Sequence, residues 1–184
     1  MNRYIHAFIC VVIGVIKFII LKIKKRKRIC NYWINLVSPG TEITIDRNGR
    51  LTIGKLLRMR SGCKIRVRKN AKVSIGDNFS MSNRCMVVAW EEISIGNNVQ
   101  FGPGVLVYDQ DHDYKAVGGM AAEKYKTSPV KIGNNVWIGA NSIILRGTEI
   151  GDNSVVAAGT IVKGKYNANS LLYQKKEVIE KSII

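Results

Sequence analysis

The chain has 184 residues, 46% of them apolar and 23% charged. That is long enough for one well-packed domain, and it excludes a wholly disordered chain and a polytopic membrane protein. Lysine and arginine number 29 against 13 aspartates and glutamates, a formal charge of +16, which points to nucleic acid, an anionic membrane surface or an acidic substrate. No helix-turn-helix pattern, zinc-finger spacing or aromatic RNA-binding signature accompanies the charge, so nucleic acid is not the expected partner.

The excess is concentrated at the start, where residues 1–30 hold eight basic side chains and no acid. Within them, residues 4–23 are mostly apolar, interrupted by His6, Lys17 and Lys22. As a helix this segment is about 30 Å long, enough to cross a bilayer. The run Lys22 to Arg28 follows it directly; a secretory signal carries its charge before the apolar stretch, so the run instead holds the next segment on the cytoplasmic side. A second placement also fits. His6, Cys10, Gly14, Lys17, Lys24 and Arg28 fall along one helical stripe, which would face water if the helix lay in the membrane interface. In both placements residues 1–30 associate with the membrane.

The next stretch is organised by an internal repeat. The tetrapeptide Ile-Gly-Asp/Asn-Asn begins at Ile75, Ile95, Ile132 and Ile150, with a weaker relative at Ile53. A large apolar residue returns every six positions: Ile53, Met59, Ile65; Ile75, Met81, Val87; Ile95, Phe101, Val107; and Ile132, Ile138, Ile144, Ile150, Val156, Val162. Six is neither a helical nor a simple strand period. It predicts a short strand plus a corner with one large side chain pointing inward, three such units closing a triangular turn of eighteen residues. Ile75 to Ile95 spans twenty, which needs a bulge, and Ile95 to Ile132 spans 37, one turn plus an insertion of nineteen. Cys63, Cys85 and Val105 occupy one place in successive turns, which makes the two cysteines interior fillers. None of the four cysteines (the others are Cys10 and Cys30) forms a CxxC pair, as suits a reducing compartment. From Lys55 to Lys72 there are eight basic residues and no acid, an electrostatic face suited to anionic lipid or a lipid-linked glycan.

The tandem pattern resembles the hexapeptide-repeat acyltransferases over roughly residues 37–170. The resemblance implies an all-β fold, a left-handed parallel β-helix. Here the β-helix domain spans 31–170 with an inserted loop at 108–131, preceded by the membrane-associated α-helix of residues 1–30 and followed by a C-terminal tail or short helix at 171–184. The inserted loop holds His112, the only histidine outside the first segment. Galactoside, maltose and surface-polysaccharide O-acetyltransferases carry a histidine in the same break, followed by a segment like Ile132-Gly133-Asn134-Asn135-Val136-Trp137-Ile138-Gly139. By that resemblance His112 is the catalytic base, removing the proton of a sugar hydroxyl as it attacks the thioester of acetyl-CoA. Asp111, Asp113, Glu123 or a backbone carbonyl would fix its tautomer, and Asn83 and Tyr114 are further candidates for orienting or binding the acceptor.

The same alignment assigns Trp137, Gly139, Ala140, Ala157, Ala158, Gly159 and Lys163 to the coenzyme. The family's proline-containing segment after the last coil is replaced by Lys163 to Ala168, which leaves the nucleotide contacts unassigned. A homotrimer with sites between subunits is implied, at the cytoplasmic face of a bacterial inner membrane. The implied reaction is acetyl-CoA-dependent O-acetylation of a surface polysaccharide or its lipid-linked precursor, with no metal. N-acetylation of an amino sugar and a non-catalytic scaffold of a glycan-assembly complex are the alternatives. The γ-class carbonic anhydrases share the coil, but their zinc needs three histidines.

Overall fold

A computed structural model describes residues 3–175, Glu177 and Glu180. From Ile29 to Leu172 the chain winds as a parallel β-solenoid of about six turns with three flat faces. The first face stacks seven strands from Ile29–Asn31 to Lys165–Tyr166, and the second stacks seven from Leu36–Val37 to Leu171–Leu172. The third stacks six, from Glu42–Ile45 to Ile161–Val162. The coil thus begins before residue 37 and runs two residues past 170. Glu177 and Glu180 lie outside any helix or strand; the rest of the expected C-terminal tail or helix lies outside the described residues.

The hexad pattern becomes the core. Every large residue of the six-residue series is at most 4% exposed, and Ile75, Ile95, Ile132 and Ile150 are register partners on the first face. Phe79 and Phe101 fill the interior edge to face at 4.8 Å. Cys63 and Cys85 are fully buried. The hydrogen bond between them, reinforced by burial, pushes the Cys85 thiol up, and the same bond lowers that of Cys63. Burial, which shuts both away from solvent, makes them fillers of the core.

The tetrapeptide explains the corner between the first and second faces. A Cβ on Gly76 would lie 2.7 Å from the Gly96 carbonyl carbon of the next coil, so the coils approach as closely as they do only over glycine. The third residue ties the coils together: the Asp77 amide donates to Asn97 Oδ1 at 2.7 Å, and the Asn134 amide to Asp152 Oδ1 at 2.7 Å. The fourth, asparagine, takes the left-handed conformation, φ +55° to +58° at Asn78, Asn98, Asn135 and Asn153, and its amide hydrogen-bonds its counterpart one coil on.

The apolar segment is an α-helix, α1 (Arg3–Lys25), and it lies across the end of the coil. Gly14 packs so tightly on the Asn35 carbonyl that any Cβ would overlap it. Cys10 Sγ sits 3.6 Å from Ser38 Oγ, and Lys17 Nζ donates to the Thr41 carbonyl and hydroxyl at 2.7 and 2.6 Å. Phe18 is buried and Leu21 packs against the core. These contacts run for about 16 Å along the helix axis. The stripe expected to face water is therefore the stripe that faces the coil, because Gly14 allows close approach and Lys17 finds acceptors there. The opposite side exposes Tyr4, Ile5, Phe8, Ile9, Val12, Ile16, Ile19, Ile20 and Ile23.

The basic stretch is partly neutralised from the preceding coil. Glu42 takes Arg66 in a two-pronged pair at 2.7 and 3.0 Å, which lowers the Glu42 carboxyl below its usual range, and Asp46 lies 3.4 Å from Arg68.

Candidate active site

The repeat breaks at the corner between the third and first faces. Tyr108 still belongs to the third-face strand Leu106–Tyr108, and Val130 already belongs to the first-face strand Val130–Ile132. Between them the chain projects an antiparallel ribbon, Gln110–His112 against Tyr125–Thr127, with a 3-10 turn at Gly119–Ala122. Its base is pinned by Asp109, which is fully buried and accepts the Trp90 and Glu91 amides at 2.7 and 2.8 Å. The Ser128 amide closes the neck by donating to the Asp109 carbonyl at 2.9 Å. Burial raises the Asp109 carboxyl, and the amide hydrogen bonds oppose that shift.

His112 sits at the end of the first ribbon strand, exposed, opposite Tyr125. The two rings lie 4.6 Å apart, tilted by 42°. Tyr125 in turn stacks on Trp90 at 4.0 Å, and the Arg68 guanidinium lies 5.8 Å from the Trp90 ring. An aromatic column thus carries the imidazole from the coil outward. Two of the three carboxylates expected to orient it are engaged elsewhere. Asp111 pairs with Arg146 of the next coil at 2.5 Å. Asp113 pairs with Lys126 at 3.0 Å, which lowers its carboxyl. Glu123 sits in a left-handed turn, φ +47°, after the 3-10 helix, and Tyr114 is exposed beside Lys115. Among the described residues no carboxylate hydrogen-bonds the His112 ring; the ring takes its orientation from Tyr125.

The residues assigned to the coenzyme lie elsewhere on the prism. Trp137 projects from the second face, 57% exposed. Gly139 and Ala140 follow at the corner between the second and third faces, and Ala157, Ala158 and Gly159 occupy the same corner one coil on. The Gly159 amide donates to the Ala140 carbonyl at 2.7 Å. A Cβ on Gly139 would lie 2.5 Å from the Ala158 nitrogen, so stacking alone already demands a small residue there. Asn83 belongs to this corner too, its carbonyl accepting the Gly104 amide at 2.9 Å. Lys163 is exposed at the corner that carries His112. Within one chain, His112 and Lys163 are separated from Asn83, Trp137 and the small residues by the width of the third face, about 10–13 Å for strands of this length. Among the described residues there is no group of three or more His, Cys, Asp and Glu side chains placed to hold a metal ion.

Two features were not readable in the sequence. The Trp90–Tyr125–His112 column joins residues from separate coils, and nothing in the local pattern pairs Asp111 with Arg146, 35 residues away.

Comparison with known proteins places the chain. Residues 129–163 match the model of the hexapeptide repeat of succinyl-transferase. The Saccharomyces cerevisiae protein named "Putative acetyltransferase YJL218W" is 31% identical over 144 residues, covering 78% of this chain and 73% of its own length. The chain belongs to the hexapeptide-repeat acyltransferase family. Other members of the family match over shorter or more divergent stretches. The galactoside O-acetyltransferase of Escherichia coli is 39% identical over 87 residues, 47% of this acyltransferase and 42% of that protein. The E. coli protein named "Putative lipopolysaccharide biosynthesis O-acetyl transferase WbbJ" is 24% identical over 136 residues, 70% and 69% of the two chains.

Among solved structures, the Bacillus cereus N-acyltransferase AntD superposes with a TM-score of 0.67 at 22% identity, covering 82% of this acyltransferase and 81% of AntD. That likeness is one of fold. A galactoside acetyltransferase solved with coenzyme A gives a TM-score of 0.51 at 25% identity, over 78% of this chain and 58% of its own.

Proposed function

We propose that this acyltransferase moves an acetyl group from acetyl-CoA to a sugar hydroxyl of a surface polysaccharide or its lipid-linked precursor, with His112 as general base. The observation that carries the reading is His112 itself: an exposed imidazole on a ribbon pinned by a buried carboxylate and braced by Tyr125. The ring accepts the hydroxyl proton as the oxygen attacks the thioester carbon; the carbon–sulfur bond then breaks, the sulfur takes that proton from the imidazolium, and coenzyme A leaves as the thiol. The ribbon contains no cysteine and Cys63 and Cys85 are sealed in the core, which supports direct attack without an acyl-enzyme. The galactoside and lipopolysaccharide relatives support a sugar acceptor.

The active unit is a homotrimer. On the third face the outward column Met86, Leu106, Ile143, Ile161 is apolar where the same column above it carries Glu42 and Lys64. Three copies packed by that face would bring the His112 corner of one against the Asn83 and Gly139 corner of the next, closing the gap left within a single chain. The exposed apolar side of α1, with the exposed Trp33 beside Lys22, supports attachment in the plane of the cytoplasmic leaflet, where acetyl-CoA is supplied.

The test is thiol release from acetyl-CoA with a panel of hydroxyl and amine sugar acceptors. His112→Ala should lower turnover by about 10²–10⁴-fold while coenzyme binding persists. An undiminished rate removes His112 from the mechanism.

A further inference from the structure

Between α1 and the coil lies a cavity of about 820 Å³ that shares only Asn83 with the corners described above. Its walls include Ser38, Arg58, Arg60, Ser61 and Asn83 from the coil and His6 from the helix. No acidic residue lines it. Arg66 and Arg68, from the same basic stretch, are paired with Glu42 and Asp46. Among the described residues neither Arg58 nor Arg60 has a carboxylate partner, so the cavity presents two guanidinium forks, two hydroxyls and an amide to whatever enters. Planar forks of this kind match the oxygens of a phosphate. The helical wall is the start of α1, whose outer side exposes Tyr4, Ile5 and Phe8, so an apolar tail leaving the cavity would continue along apolar surface.

The cavity is also connected to the catalytic corner. Asn83 forms part of its floor and lies one coil above Gly102–Gly104 and two coils above Gly139 and Ala140. Arg58, Ser80, Gln100 and Trp137 are successive register partners on the second face. Arg58 therefore stands three coils, about 14 Å, above Trp137.

We propose that this cavity binds the phosphate or diphosphate of a lipid-linked glycan, with Arg58 and Arg60 on the phosphate oxygens, the lipid directed along α1 and the sugar directed down the corner past Asn83. The inference rests on the acetyltransferase reading and names its acceptor class: an anionic amphiphile rather than a free sugar.

The test is vesicle binding by the full chain, a readout independent of acetyl transfer. Phosphatidylcholine vesicles carrying a small fraction of long-chain isoprenyl diphosphate, which supplies phosphate and tail without the sugar, are compared with vesicles carrying the same charge as phosphatidylglycerol. Binding to the diphosphate vesicles should be tighter by about tenfold. The double variant R58Q/R60Q should lose that gain, whereas Lys69→Gln, in the same basic stretch but outside the cavity, should keep it. Thermal melting checks that the double variant is folded, and R58K/R60K, which keeps charge but loses the fork, should recover only part of the gain. Equal binding to phosphatidylglycerol would reduce the site to surface charge and overturn the proposal. So would a gain that survives in R58Q/R60Q, or binding of a soluble nucleoside diphosphate sugar as tight as that of the membrane-borne diphosphate. If instead the His112→Ala rate were undiminished while the diphosphate gain held, the catalytic reading would fail and the cavity would stand.

Discussion

Tyr125 touches His112 on one side and Trp90 on the other, so the imidazole is positioned by ring packing. With His112 as the proposed base, truncating Tyr125→Ala should lower turnover by about ten- to a hundredfold with little change in KM, since the displaced ring loses its approach to the hydroxyl while the acceptor is still held. Tyr125→Phe keeps the ring and should restore most of the rate; equal loss in both variants would assign the role to the phenol instead. Asp109 sets the base of the ribbon, and its titration has a definite sign. Burial raises its carboxyl above the ordinary 3.8, so its contribution to folding is fully present below that value and is lost as pH rises through the raised one. The thermal midpoint of the wild type relative to Asp109→Asn should therefore be highest below pH 3.8 and fall as the pH rises through the raised carboxyl. A difference that rises over that interval would show that the two amide hydrogen bonds outweigh desolvation.

The strands and corners were largely legible in the sequence because each is a local, repeated decision. The six-residue series marks the inward positions, and the Ile-Gly-Asp/Asn-Asn corner states its own steric and hydrogen-bonding needs. The inserted ribbon that carries His112 was legible because the repeat fails there. The placement of α1 was not. Cys10, Gly14 and Lys17 look like a polar stripe by composition, and only the coil's Asn35, Ser38 and Thr41 turn that stripe into a docking face. Gly14→Val should lift the helix from the coil, seen as faster amide exchange in α1 with the exchange of the core strands unchanged. Unchanged protection of α1 would mean that the helix does not depend on this close approach. The acid–base pairs of the ribbon escaped for a similar reason, since Asp111 meets Arg146 only after the chain has completed another coil.

At the scale of the whole molecule, the proposed trimer makes catalysis depend on the third face. Ile143 is the centre of the apolar column between Leu106 and Ile161. Ile143→Arg should leave the coil folded but give a monomer in sedimentation, with thiol release lost because the two corners no longer meet. A variant that sediments as a monomer and retains full turnover would sink the shared site. In the proposed complex the solenoid also sets how far the ligands reach. Each layer sits on the one below through main-chain hydrogen bonds and glycine-only corners, so the interval from Arg58 to Trp137 can neither stretch nor slide. It changes only by whole layers, about 4.8 Å at a time. The protein is in that respect a ruler with fixed graduations: a relative built for a longer or shorter acceptor would differ by an inserted or deleted rung.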